Sequence, residues 1–387
     1  MNTHLALSLL VFLLSSLTSY TLNNSLRKLA FKRGWVVTPR DRQIDIPPAI
    51  RKASHPYKIP LTGGLAFLVA FALSMLAALA LFPDIFTGGE MRLRFAGLFV
   101  ASMVIGLMGF VDDVRRLGYR TRFLVAGLTM LALLVFTVYG EVFLLPGGLT
   151  VQIGVPELLL LLVWCIGLSN SINLVDGLDG SAAGIVAIGA VWLGLITTTD
   201  AFLVTLVLMS ILASSIAFLA YNFYPASIFL GSTGTLFLGF LLALITIWPP
   251  TRAMPNYFFP YAIIIFAVPL VDMALVFFIR LLHGRNPFVA DSWHIHDRVL
   301  LTGASRKQAA LVIWGLSFCC GLLAYLAFRG VMPYLVAVGL TGLLLLSFYV
   351  VVNRLGKLGA AGADADGPGI HATVVPSGNE PSKKCSS

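Results

Sequence analysis

Runs of about twenty apolar residues recur along this chain, and nothing else constrains its fold as strongly. About 20 helical residues, at 1.5 Å each, cross the ~30 Å hydrocarbon core of a bilayer. In lipid the backbone polar groups must be satisfied inside the segment, so each run is read as a helix. Eleven such runs are marked, at 4–21, 62–83, 95–111, 123–139, 155–173, 181–198, 201–220, 229–248, 260–280, 308–327 and 331–352. The expectation is an all-α polytopic integral membrane protein with eleven transmembrane helices. Residues 1–357 form one transmembrane domain. Residues 358–387, small, polar and rich in Gly, Pro and Ser, form a disordered cytoplasmic tail.

Charge sets the expected orientation. No Lys or Arg precedes the first run, and a basic cluster from Arg27 to Lys58 follows it, the reverse of a secretory signal. Alternating from a first helix that starts outside leaves only Arg92, Arg94, Arg252 and Arg329 on the outer face, so 22 of the 26 Lys and Arg lie inside. The N-terminus is therefore expected outside, in the periplasm, and the C-terminus in the cytoplasm. The net charge of +9 fits basic loops beside anionic lipid better than nucleic acid. The cysteines Cys165, Cys319, Cys320 and Cys385 lack zinc-site spacing.

The chemistry collects in the inner loops. Asn170–Gly180 reads NSINLVDGLDG. Three-residue steps from Asn170 to Asn173, Asp176 and Asp179 would stack these side chains at one helix end, and carboxylates suit a hard divalent ion. A glycine-rich turn capped by Asp and Asn is the structural alternative. Asp112 and Asp113 are adjacent and repel each other, so a magnesium ion or an arginine is expected nearby; Arg115, Arg116, Arg120 and Arg122 follow. The stretch FLGSTGT, from Phe229, opens a helix whose N–H groups suit a phosphate or plain Ser/Thr capping. Arg280, His283, Arg285, Asp291, His294, His296, Asp297 and Arg298 share a later loop, and arginines with histidines suit a diphosphate, or anionic lipid alone. The first loop adds Asp45, Arg51, Lys52, His55 and Lys58. An acidic centre ringed by basic loops describes a site for a metal–diphosphate substrate.

On these motifs the chain resembles the polyprenyl-phosphate N-acetylhexosamine-1-phosphate transferase superfamily. DIPPAIRKASHPYKIPLTGG, VDDVRRL, NSINLVDGLDG and HIHDRVL match family segments between about Asp45 and Leu301. HIHDRVL is similar to the branch that uses simple N-acetylhexosamines. The resemblance implies transfer of N-acetylhexosamine 1-phosphate, GlcNAc or a deoxy derivative, from a UDP-sugar to undecaprenyl phosphate. UMP leaves, and a lipid-linked glycan such as O-antigen of lipopolysaccharide is begun. It implies Mg²⁺ or Mn²⁺ as cofactor, a cytoplasmic-face site in the bacterial inner membrane, no nucleic-acid partner, and leaves a homodimer open.

By the same resemblance Asp112 brings in or deprotonates the lipid phosphate, and Asp113 supports it or the metal. Asn173, Asp176 and Asp179 hold nucleotide and ion, with Asp113, Asp176 and Asp179 as metal ligands. Phe229 stacks on uracil, and His294 and His296 meet diphosphate or sugar. Asp45, Arg51, His55, Asn170, Arg285 and Arg298 complete the substrate contacts. There are three departures: Ser232 stands where the family has a metal-binding Asp, Asp297 replaces the second His of the final pair, and Arg116 stands where the cell-wall branch has Lys. The first leaves two outcomes, an ion carried by the remaining aspartates or a catalytically impaired homologue. A transporter is the rival from another class, suggested only by Asp272 inside an apolar run.

Overall fold

A computed structural model describes residues 3–38, 57–83, 89–137, 142–146, 149–197, 202–247, 259–284, 286 and 294–365. Thirteen helices lie among them: α1 Thr3–Arg33, α2 Gly63–Leu81, α3 Gly89–Arg115, α4 Tyr119–Thr137, α5 Val155–Leu174, α6 Ser181–Ile196, α7 Phe202–Asn222, α8 Gly231–Ile247, α9 Phe259–Ile265, α10 Ala267–Leu282, α11 Ile295–Leu301, α12 Arg306–Phe328 and α13 Tyr334–Ala365. Two short antiparallel ribbons accompany them. β1 Val36–Val37 pairs with β2 Ile59–Pro60, and β3 Val142–Leu144 pairs with β4 Thr150–Gln152.

Ten of the eleven apolar runs centre on one helix each and 260–280 is divided between α9 and α10, yet helix is not the same as crossing. Among the described residues seven helices are long and apolar enough to span a bilayer, or eight if α9 and α10, bent by 73° at their junction, count as one. The shorter apolar helices α6 and α8 have 16 and 17 residues, about 24–26 Å of rise, short of a full hydrocarbon core. Helix α13 also continues to Ala365, into the alanine-rich start of the expected disordered tail. Residues 366–387 lie outside the described residues.

Helix α8 is the axis of the bundle. Every residue from Gly231 to Ile247 is buried except Ser232, as expected for a helix that is apolar all round. It packs against α2, α3 and α5. Glycines let the backbones meet at its start. A methyl on Gly64 would run into the Gly234 amide, and one on Gly109 would come within 2.5 Å of the Ser232 carbonyl oxygen. The Gly63 and Gly64 amides donate to the carbonyls of Phe229 and Leu230 at 3.0 and 2.9 Å. The Gly-Gly pair thus fixes the start of α2 against the entrance of α8.

A second seam joins α1 to α7. Leu7, Val11, Ser15, Ser19 and Asn23 recur every four residues and are fully buried. Ser15 Oγ donates to Ser210 Oγ at 2.9 Å, Ser74 Oγ lies 3.3 Å from the same hydroxyl, and Ser19 Oγ donates to the Ser214 carbonyl at 3.3 Å. Small hydroxylated residues are how helices associate when lipid removes the hydrophobic drive between them.

Candidate active site

The polar groups meet where α3 and α5 end and where α2, α6, α8, α11 and α12 begin. Two adjacent carboxylates at the end of α3 avoid each other by taking opposite partners. Asp112, buried, accepts from Arg122 Nη1 at 3.2 Å. Asp113 turns to the start of α8. Its Oδ1 accepts from the Ser232 amide at 2.7 Å, and its Oδ2 accepts from the Thr233 amide at 2.9 Å and the Thr233 hydroxyl at 2.6 Å. The N-terminal amides of α8 are an anion site, and the anion seated there is a side chain of the same protein. The helix start that could have cradled a phosphate is filled by Asp113. Gly231, at φ +71°, leaves room for it, since a methyl there would lie 2.6 Å from Asp113 Oδ2.

The NSINLVDGLDG stretch breaks in two. Helix α5 runs through Asn173, and a 3₁₀ turn, Val175–Gly177, carries Asp176. Asn173 Oδ1 accepts from the Thr235 hydroxyl at 2.6 Å, tying α5 to α8. Asn170 Nδ2 donates back to the Ile166 carbonyl at 2.8 Å, and this residue lines a small gap with Arg122 and Ser169. The expected stack of four side chains ends at Asp176, because the 3₁₀ turn leaves helical geometry there and Leu178 is extended at φ −132° and ψ 140°, turning the chain before Asp179. Asp179 points elsewhere: Oδ2 accepts from the Ala226 amide at 2.9 Å, and Oδ1 pairs with Arg306 Nη2 at 3.2 Å. Asp176 lies near Asp113 and Asp179 and faces the Gly231 amide. No cationic side chain pairs with it among the described residues.

Two side chains outside the sequence expectation lock this loop. Asn222, buried, accepts from the Gly180 amide at 3.0 Å and donates to the Ile228 carbonyl at 3.0 Å. Trp314 of α12 donates to the Gly180 carbonyl at 3.2 Å. Phe229 binds through its backbone, its amide donating to the Pro60 carbonyl at 2.8 Å.

The histidines form the far wall. Their rings are parallel, 5.7 Å apart. His296 sits directly on Gly177, where any Cβ would strike its ring. Its Nε2 is 3.6 Å from Asp297 Oδ1, and its buried Nδ1 has no hydrogen-bond partner among the described residues. Burial holds this imidazole below its ordinary pKa, with His294 and Arg306 acting in the same sense and Asp297 and Asp272 opposing. His294 Nδ1 lies 2.8 Å from Asp272 Oδ2. Arg298 does not join this group: it donates to Asn353 Oδ1 at 2.6 Å and lies over the Tyr349 ring, so it fastens α11 to α13. Asp45, Arg51, His55, Arg285 and Asp291 lie outside the described residues.

The fit to a divalent ion divides these acids. Among the described residues no three or more His, Cys, Asp or Glu side chains are arranged to hold a metal. Asp113 and Asp179, two of the three expected ligands, have both oxygens committed to N–H or O–H groups. At position 232, where a metal-binding Asp is expected, a half-buried Ser232 offers only a hydroxyl. The residues do not fit a cage of Asp113, Asp176 and Asp179. They do fit an ion held by Asp176 and substrate phosphate oxygens, the way Mg²⁺ is usually bound.

Comparisons with known proteins give the family. The family model described as Glycosyl transferase family 4 matches residues 95–249, the stretch that carries Asp112, Asp113, Asp176, Asp179 and Ser232. A Bacillus subtilis protein named "Probable undecaprenyl-phosphate N-acetylglucosaminyl 1-phosphate transferase" is 30% identical over 310 residues, 79% of this chain and 81% of that one. A Mycolicibacterium smegmatis "Decaprenyl-phosphate N-acetylglucosaminephosphotransferase" is 29% identical over 79% of this chain and 78% of its own. A Streptococcus thermophilus "Phospho-N-acetylmuramoyl-pentapeptide-transferase" is 32% identical over 49% of this chain and 58% of its own. With this identity, coverage and site, the chain belongs to the polyprenyl-phosphate hexosamine-1-phosphate transferase superfamily.

Proposed function

We propose that this protein transfers N-acetylhexosamine 1-phosphate from a UDP-sugar to undecaprenyl phosphate, releasing UMP and starting a lipid-linked glycan such as O-antigen. The observation that carries this reading is the convergence of Asp112–Arg122, Asp113 on the start of α8, Asp176, and the His294–His296 wall at one end of the bundle. In the reaction an oxygen of the lipid phosphate attacks the sugar-proximal phosphorus, the bond to the UMP oxygen breaks, and the sugar C1–O bond is kept. Asp112 accepts the acceptor's proton while Arg122 holds its carboxylate in place. Asp113 keeps α8 aligned under the pocket. Asp176, with the substrate phosphates, would hold Mg²⁺ or Mn²⁺, which when bound neutralises diphosphate charge. Asp179 and Arg306 set the loop that carries Asp176. Positioning and charge neutralisation carry most of the catalysis in phosphoryl transfer.

The same reading puts the pocket on the cytoplasmic side of a bacterial inner membrane, with the N-terminus outside and the tail inside. Asp45, Arg51, His55 and Arg285 are assigned to phosphate and sugar contacts. A dimer is compatible and no nucleic acid takes part. The test is purified protein in micelles with undecaprenyl phosphate, Mg²⁺ and a panel of UDP-sugars. A lipid-linked product from UDP-N-acetylhexosamines supports the reading, and none from any donor overturns it.

A second reading has its own observation. Ser232 brings no charge to the pocket, so the chain is a catalytically impaired homologue if Asp176 alone cannot anchor the ion. Ser232→Asp discriminates: a large gain in rate marks the natural chain as impaired. Transport loses its one support, because the Asp272 carboxylate is tied to His294 and to the Ile295 amide.

A further inference from the structure

The buried carboxylate of Asp272 has no place in the reaction as written, yet its surroundings are built with care. It lies in α10 and is 1% exposed. Both oxygens reach across to the segment before α11. Oδ2 is 2.8 Å from His294 Nδ1, and Oδ1 accepts from the Ile295 amide at 2.7 Å. An ionised carboxylate only accepts, so His294 Nδ1 must carry the proton. In the neutral ring this leaves Nε2 as an acceptor. A phosphate oxygen has no proton to give such a nitrogen. A sugar hydroxyl or an N-acetyl N–H has one.

We propose that Asp272 is a positioning residue that fixes His294 with Nδ1 protonated, so that Nε2 selects the sugar of the nucleotide-sugar donor through a hydrogen-bond donor group. This rests on the transferase reading and deepens it, since it assigns His294 to sugar recognition and not to the diphosphate. The neighbours agree. His296 stacks parallel to His294 and seats its Nε2 edge on Gly177, one residue from Asp176, so the histidine pair adjoins the acid proposed to meet the diphosphate.

The variant Asp272→Asn separates this role from simple support. Its amide oxygen can still accept from Ile295, but its NH₂ group must donate to Nδ1, which moves the ring proton to Nε2 and turns the acceptor into a donor. Binding of UDP and of UDP-N-acetylglucosamine is measured by calorimetry on the full chain in micelles. Wild type should prefer the nucleotide sugar. Asp272→Asn should lose about 10- to 100-fold of that preference, the usual consequence of an unpaired buried polar group, with UDP affinity unchanged. An unaltered preference, or an equal loss for UDP and the nucleotide sugar, overturns the proposal.

A second measurement needs no variant of Asp272. In ¹⁵N-histidine NMR of the wild-type chain, with His294 assigned among the six histidines by its loss in His294→Gln, Nδ1 should be protonated and Nε2 not. The opposite tautomer overturns the proposal even if Asp272→Asn fails to fold. Failure of wild type to bind either nucleotide would sink the transferase reading, and the NMR result would still decide the tautomer.

Discussion

Removing Asp113 should unfold more of this protein than removing Asp176, although the two acids sit side by side and read alike in sequence. In Asp113→Ala the Ser232 and Thr233 amides at the start of α8 lose their acceptor. Each buried N–H left unpaired costs about 1–3 kcal/mol, so the loss is about 2–6 kcal/mol, above the 0.5–2 typical of an exposed N-cap. The Thr233 hydroxyl can rotate to another acceptor and is left out of the sum. Asp176→Asn keeps an acceptor for the Gly231 amide and takes away a carboxyl that lies close to two others, so stability should not fall. The assay is unfolding in mixed micelles titrated with denaturing detergent, followed by circular dichroism. Equal stability of Asp113→Ala and wild type, or an equal loss in Asp176→Asn, would refute the assignment of Asp113 as the cap of α8.

Arg306→Ala strands the buried Asp179 carboxylate and should cost about 3–5 kcal/mol in the same titration; adding Asp179→Asn should recover part of it, and no recovery would deny the pairing. Gly177→Ala pushes a methyl into the His296 ring, so lipid-linked product should form about 10²-fold more slowly with the fold intact, and an unchanged rate would remove the histidine wall from the site. His296 has a folded-state pKa below its ordinary 6.5, so between those two values the unfolded chain binds the extra proton. Stability should therefore fall as pH drops below ~6.5, and His296→Gln should flatten that slope in thermal midpoints measured from about pH 7.5 to about 5.5.

Much of the helix content was legible in residue pattern, because an apolar run of twenty has few other options in lipid. Which helices cross was less so. Helices α6 and α8 read as spans by composition, yet at 16 and 17 residues they are buried and short, and burial inside protein and immersion in lipid leave the same apolar letters. The acids Asp112, Asp113, Asp176 and Asp179 were found by type and spacing, but their partners were not. By its letters Asp113 suits an ion or an arginine, and the FLGSTGT helix start suits a phosphate or a Ser/Thr cap; the fold gives them to each other. Arg306 sits 127 residues from Asp179, and no local pattern joins residues so far apart. Asp272 did leave a signal, a lone acid in an apolar run; the histidine that answers it was visible only once α10 and α11 were packed together.

The fate of the sugar-proximal phosphorus tests the central claim most directly. Purified protein is given a UDP-N-acetylhexosamine labelled only at that phosphate, with undecaprenyl phosphate. Label moving into the lipid fraction while unlabelled UMP appears in equal amount is the predicted result. Label remaining with the nucleotide as UDP, with only sugar on the lipid, would contradict it.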